Sequence, residues 1–307
     1  MKTSVVITTL NEEKTIALLL ESLSMQTVKP DEIIIVDGGS TDKTVEQIKR
    51  YKVKVKLAVK SGNRAVGRNE AIKLTSGDII LSADAGCVFD KNWVKNIVAP
   101  FRNPNVDVVA GYYAGLPKTV FQKCLIPYVL VMPDRVDPHT FLPASRSMAF
   151  RKSVWKKAGG FPESLSHNED YALARNLRRI GAKIVFVKQA IVYWQPRKNM
   201  REAFYMFYRF ALGDAEARII RPKVILLFTR YIVGCLVLVG FFFTRLNFLF
   251  FTFSLCLVGN RKKLSICKRS QSLCIITSAS VYSRFCRDFR IARRYNKEVN
   301  GIYERRN

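Results

Sequence analysis

The chain has 307 residues and a formal charge of +27, from 51 Lys and Arg against 24 Asp and Glu. That length holds one α/β domain plus an appendage. No zinc spacing, recognition-helix pattern or RNA-binding signature accompanies the charge, and much of it follows an apolar stretch, which argues against nucleic acid as a partner. The seven cysteines are scattered without a C-x-x-C pair, so a reduced, cytosol-facing protein is expected. No cationic leader precedes Thr3–Thr9, and no secretory signal is expected.

The first strand is predicted at Ser4–Thr9, with a helix opening near Asn11 and carrying Glu12 and Glu13 in its first turn. A second strand follows at Glu32–Val36, and Ser40–Thr41–Asp42 would cap a helix through Tyr51. Lys54–Val59 reads as a third strand, Arg64–Leu74 as a helix, and Asp78–Ser82 as a fourth strand ending on Asp84. Strand and helix alternating at this period favour a layered α/β fold with a parallel sheet. Three strand ends close on polar motifs: T-T-L-N-E-E (Thr8–Glu13), V-D-G-G-S-T-D (Val36–Asp42) and S-A-D-A-G (Ser82–Gly86). Ligands of open α/β sheets collect at the carboxyl ends of the strands. Three such tips at one edge suit a polar, phosphorylated, metal-bound ligand.

Those motifs resemble the inverting family-2-type glycosyltransferases over roughly Lys2–Arg197. The resemblance implies a GT-A nucleotide-diphospho-sugar transferase fold, a Rossmann-like central sheet with C-terminal membrane helices. It places Thr9, Asn11 and Glu12 at the first nucleotide-binding strand end and Asp37 on the nucleobase. Ser61–Lys73, with Asn63, Arg64 and Arg68, is similar to the segment that lies along the nucleotide. Ser82–Ala83–Asp84 aligns with the D-x-D metal motif. Ser82 stands where the first aspartate is expected, leaving Asp84 as the carboxylate for manganese or magnesium, with diphosphate oxygens completing the shell. A catalytically lapsed scaffold of the same fold is the reading that Ser82 favours.

Ala158–Glu163, with Gly160, and His167–Leu173 are similar to the acceptor-side segments. Asp170 takes the place of the catalytic base, with Glu169 beside it. A positioned carboxylate can accept the proton of an attacking hydroxyl, and two adjacent carboxylates can push one pKa upward. Asn168–Asp170 also reads as the start of a helix burying Leu173 and Leu177. Ile184–Val187 reads as a further strand and Ala190–Trp194 as an apolar run, followed by Trp194–Arg197, where by the resemblance Arg197 offers paired donors to the departing diphosphate. The Q-x-x-R-W motif of processive synthases is absent from this stretch. His139 and His167 lack partners at metal spacing.

Along Lys198–Lys223, Met200, Phe204, Phe207, Phe210 and Ala211 recur at helical spacing among Arg201, Arg209 and Arg218, as in an amphipathic helix lying on a membrane. Val224–Gly259 is then 36 residues long with only Arg230 and Arg245 charged, which predicts a transmembrane hairpin turning near Thr244–Asn247. A basic tail, 260–307, contains the moderately apolar Gln271–Ser283 and suits an anionic lipid surface. The expected organisation is a catalytic domain at 1–197, an interface helix at 198–223, the hairpin at 224–259 and the tail. The expected enzyme is membrane-bound and faces the cytoplasm. It moves a sugar from a nucleotide diphosphate donor to a hydroxyl of a lipid-linked glycan or glycolipid, with a polyprenyl-phosphate sugar synthase as the alternative.

Overall fold

The computed structural model describes residues 1–51 and 55–244. Strands β1 (Thr3–Thr9), β2 (Glu32–Asp37), β3 (Val55–Val59) and β4 (Ile79–Asp84) alternate with helices α1 (Ile16–Ser24), α2 (Thr44–Arg50) and α3 (Arg64–Lys73). Beyond them come β5 (Cys87–Phe89), α4 (Trp93–Val98), β6 (Val108–Gly115), α5 (Val120–Val129), β7 (Met148–Arg151), α6 (Lys152–Lys157), α7 (Glu169–Arg179), β8 (Ile184–Trp194), α8 (Met200–Glu216) and α9 (Pro222–Thr244). The strands form one mixed sheet in the order β3-β2-β1-β4-β7-β6-β8-β5. Strands β1 to β4 pair in parallel, whereas β7 runs antiparallel to β4 and β6.

Strands β1, β2 and β4 have apolar centres because both of their faces are covered, while the edge strand β3 stays partly exposed. On one face Val5, Ile7, Ile33, Ile35 and Leu81 meet Ile16, Leu19, Leu20 and Leu23 of α1. On the other, Val6, Ile34, Val36 and Ile80 meet Ala65, Ala71 and Ile72 of α3 and Leu173 and Leu177 of α7. The period-two alternation of each strand sorts its side chains between these two layers. Register then fixes the edge: Thr9 lies opposite Asp37, and Thr8 opposite Asp84. The three polar tips are therefore neighbours.

Two local expectations are corrected. Asn11 does not open a helix: its φ is +53° and α1 begins at Ile16. The segment is held instead by the next loop. Asn11 N–H donates to Ser40 Oγ at 2.8 Å and its Oδ1 accepts from Thr41 N–H at 2.9 Å. Glu12 N–H donates to Thr44 Oγ1 at 2.8 Å, which takes up a backbone donor that a helix would have left open. The two apolar runs at Ile184–Val187 and Ala190–Trp194 are one strand, β8, whose pairing with β6 shifts register between Gly111 and Tyr112. Lys54, expected to open β3, lies outside the described residues.

Met1–Leu226 is one compact unit, and of the second unit, Leu227–Asn307, the described part continues α9 to Thr244. Among the described residues no helix is long and apolar enough to cross a membrane. The expected turn at Thr244–Asn247, the second half of the hairpin and the basic tail lie beyond Thr244, outside the described residues. Helix α8 divides its apolar positions: Ala203 and Met206 pack into the core, while Met200, Phe204 and Phe207 face solvent.

Candidate active site

A cavity of about 320 Å³ opens beside the end of β4, bounded by α3, the start of α7, the 145–146 turn and α8. Of the residues expected from the sequence it gathers Arg64, Arg68, Asp84, Glu169, Asp170 and Arg197. Thr9, Asn11, Glu12, Asp37, Asn63, Ala83 and Gly160 are not among its lining.

Arg68 is the centre of the arrangement. It is 1% exposed, donates to Asp84 Oδ1 at 2.7 Å, and makes an ion pair with Glu169. Its guanidinium also lies 5.4 Å from the centre of the Phe161 ring. Helix α3 can present Arg68 to both carboxylates because Gly67 precedes it. A Cβ at Gly67 would come within 2.4 Å of Thr8 Oγ1, so this turn of the helix sits directly on β1. Arg146 approaches Asp84 from the other side, with its Nε 3.8 Å from Oδ2. Trp194 and Tyr113 hold that guanidinium between them, with ring centroids at 5.0 and 5.6 Å.

Burial opposes ionisation of Asp84, but Arg68, Arg146 and Arg64 outweigh it and hold the carboxyl below the ordinary aspartate range. Glu169 is likewise opposed by burial and held low by Arg68 and Arg64. The expected upward push on one member of the Glu169–Asp170 pair is therefore absent at Glu169, where the Arg68 cation faces the carboxylate. Asp170 Oδ2 accepts from Ser145 N–H and Oγ, both at 3.2 Å, and Oδ1 accepts from Tyr171 N–H at 2.8 Å. These contacts orient the carboxylate within the cavity.

Several expected residues are occupied with building the site. Asp37 is 1% exposed and accepts from Gly39 N–H, Ser40 N–H and Ser40 Oγ at 2.9, 2.7 and 2.5 Å. It shapes its own turn. Asn63 caps α3 by accepting from Val66 N–H at 3.0 Å, and its amide donates to the carbonyls of Glu163 and Leu165. The Glu12 carboxylate accepts from Thr15 Oγ1. Ala83 is buried in the sheet, and Gly160 has φ +74°, a backbone state that glycine adopts without strain. Thr9 Oγ1 and Ser82 Oγ are buried without a hydrogen-bond partner.

Ser145 and Arg146 were not anticipated, since they follow a stretch without helix or strand that carries no periodic pattern. Tyr205 and Arg209 of α8 also line the cavity. Their spacing was legible only as that of an amphipathic helix. This part of α8 is fastened to the Asp170 loop. Asn168, with φ +60°, donates from its amide to Phe210 O at 2.9 Å and Asp214 Oδ1 at 2.8 Å. Ser166 donates to Glu216 through both N–H and Oγ.

As a metal site, the cavity offers the Asp84 carboxylate at the end of β4, since Glu169 is taken up by its ion pair with Arg68. Among the described residues no group of three His, Cys, Asp or Glu side chains could hold an ion. Among the described residues Asp84 Oδ2 accepts no hydrogen bond, and Arg146 Nε approaches it at 3.8 Å as an ion pair. The oxygen chemistry suits a hard divalent cation whose remaining ligands come from diphosphate and water.

The sequence and the fold have known counterparts. Residues 4–154 match Glycosyl transferase family 2. The chain is 25% identical over 224 residues to the O-antigen chain rhamnosyltransferase RfbN of Salmonella typhimurium, covering 68% of this chain and 71% of that protein. It is 30% identical over 212 residues to the poly(ribitol-phosphate) beta-N-acetylglucosaminyltransferase TarS of Staphylococcus aureus, covering 65% of this chain and only 36% of TarS. Among solved structures, the mannosyltransferase PcManGT of Pyrobaculum calidifontis, in complex with GDP-Man and Mn2+, superposes with a TM-score of 0.55 at 19% identity, over 70% of this chain and 62% of that one. Residues 1–349 of S. aureus TarS with UDP-GlcNAc give 0.51 at 23% identity, over 70% and 66%. The fold is thus GT-A-like, an α/β architecture on a mixed sheet.

Proposed function

We propose that this protein is an inverting glycosyltransferase that moves a sugar from a nucleotide diphosphate donor to a hydroxyl of a lipid-linked glycan or glycolipid at the cytoplasmic membrane face. The observation that carries the reading is the convergence of Asp84 and Asp170 on one cavity at the carboxyl end of the sheet, with Arg68 and Arg146 beside them. Its relatives' printed activities, on O-antigen chains and on poly(ribitol-phosphate), support a glycan acceptor.

In this reading the nucleotide lies over the tips of β1 and β2, next to Thr9 and the Asp37 turn, and its diphosphate reaches Asp84. Asp84 would hold a manganese or magnesium ion, which when bound supplies positive charge to the diphosphate oxygens. Arg68 fixes the Asp84 carboxylate in place, and Arg146 adds a cation next to the leaving group. Asp170, oriented by Ser145, accepts the proton of the acceptor hydroxyl as its oxygen attacks the anomeric carbon. The bond from that carbon to the phosphate oxygen breaks on the opposite face. Nucleoside diphosphate leaves, and configuration inverts.

Membrane attachment is supported by side chains turned outward: Phe204 is 66% exposed, Tyr208 58%, and Leu226 at the start of α9 73%. Apolar area of this kind, next to Arg201 and Arg209, suits an anionic lipid surface. The reading is tested by offering the detergent-solubilised full chain a panel of UDP-, GDP- and TDP-sugars with a bacterial lipid extract. Metal-dependent release of nucleoside diphosphate with sugar appearing in the lipid fraction is expected. Failure of every donor to bind or turn over would leave the scaffold reading in its place.

A further inference from the structure

Asn168 and Arg218 both hold the left-handed backbone state, at φ +60° and +51°. That state is uncommon for residues with a side chain and persists where the surroundings impose it. Asn168 is the N-cap of α7, directly before Glu169 and Asp170, yet its side chain makes no capping bond to that helix. Its amide is directed to α8 instead, donating to Phe210 O at 2.9 Å and to Asp214 Oδ1 at 2.8 Å. The backbone state that starts α7, and with it the aim of Asp170, is therefore tied to α8.

Arg218 lies at the other end of the same contact. Helix α8 ends at Glu216. Arg218 N–H then donates to Ala215 O at 3.1 Å, and Ile219 N–H to Asp214 O at 2.8 Å. This pair of bonds is the C-terminal turn that glycine usually closes. Here it folds the chain back so that Arg221 reaches Asp214, with Nε 2.6 Å from Oδ2 and Nη2 2.7 Å from Oδ1. The same guanidinium lies 4.4 Å from the centre of the ring of Tyr171, the residue after Asp170. The Asp214 side chain is 16% exposed and accepts from both Arg221 and Asn168. A forked guanidinium–carboxylate pair fixes geometry, and the Tyr171 contact attaches Arg221 to α7 as well. Asp214, Tyr171 and Arg221 are not among the cavity lining, so any effect they have on the reaction runs through the residues they hold.

We propose that Asp214 and Arg221 are positioning residues for the Asp170 base. The clamp they form keeps Asn168 in its left-handed state and aims the first turn of α7 into the cavity. The proposal rests on the glycosyltransferase reading.

The test uses the full chain in detergent with two variants. Arg221→Gln leaves the Asn168–Asp214 bond in place, and Asp214→Ala removes the shared carboxylate. Hydrogen exchange reads the clamp without substrate. Ala172 N–H donates to Asn168 O, and its protection should fall at least tenfold in both variants while that of β1 and β4 stays unchanged. In transfer of sugar to a bacterial lipid extract, kcat should fall at least tenfold, with the affinity for UDP or GDP changed less than twofold. Arg221→Lys keeps the charge but loses the fork, and should fall between Arg221→Gln and wild type. The deciding arm places Asp214→Ala in the Asp170→Asn background. There it should change transfer less than twofold, because the group that it positions is already gone. A further tenfold loss in that background would show a general structural role and overturn the proposal. Unchanged protection and kcat in both variants, or a loss confined to nucleotide affinity, would also overturn it. If no donor turns over, a loss of protection keeps the clamp while the glycosyltransferase reading fails, and unchanged protection overturns the clamp as well.

Discussion

Replacing Glu169 with Leu tests whether the Arg68 cluster holds the site together. Glu169 and Arg68 have side chains only 3% and 2% exposed, so the variant leaves a guanidinium that water cannot reach. Removing one partner of a buried pair costs about 3–5 kcal/mol. Arg68 keeps Asp84 at 2.7 Å, while its Nε is already without a partner, so the lower end applies. A loss of about 3 kcal/mol corresponds to a fall in Tm of roughly 6–12 °C for a unit of this size. The pH dependence carries a sign. Glu169 is held below its ordinary value of 4.5 in the folded protein, so the unfolded chain binds the proton more readily. Its contribution is complete above pH 4.5 and is lost as pH falls through the lower folded value. Thermal unfolding of wild type and variant at pH 7 and pH 3 should therefore show a large Tm gap that narrows in acid. A gap below 2 °C at pH 7, or one that widens in acid, would refute the assignment of a buried charged pair.

Three other outcomes are expected. Asp84→Asn should abolish the effect of manganese on the affinity for UDP or GDP, measured by calorimetry, while far-ultraviolet circular dichroism stays native. Manganese dependence at the wild-type level would remove Asp84 as the ligand. Gly213→Ala should lower Tm despite the better helix propensity of alanine, because the added Cβ would stand 2.7 Å from His167 Cβ and 2.8 Å from its backbone. Overpacking of this kind costs about 1–3 kcal/mol, and a raised Tm would show that the 166–168 loop yields freely. Arg146→Lys should keep the charge near Asp84 but lose the stacking between Trp194 and Tyr113. Donor affinity should fall about tenfold, and an unchanged value would confine Arg146 to packing.

What could be read in the sequence follows from how local its causes are. Strands β1, β2 and β4 are buried on both faces, so Val5–Ile7, Ile33–Val36 and Ile79–Leu81 announce themselves as apolar runs, and their register brings Thr9, Asp37 and Asp84 to one edge. The helix at Arg64 was equally legible, and the structure shows Asn63 capping it. The start of α1 was not. Asn11 and Glu12 look like helix-start chemistry, but their hydrogen bonds go to Ser40, Thr41 and Thr44, some 30 positions away. Arg146 was hidden for a similar reason: its two aromatic neighbours are Tyr113 of β6 and Trp194 of β8, which meet only in the folded sheet.

The most direct test of the account is transfer of sugar by Asp170→Asn. The substitution preserves size and can still accept from Ser145, so donor affinity should stay within about twofold. Transfer to a hydroxyl acceptor should fall about 10²–10⁴-fold, the share of a positioned general base. Transfer retained within tenfold of wild type, at equal donor affinity, would contradict the base assignment and indicate an acceptor that is already ionised.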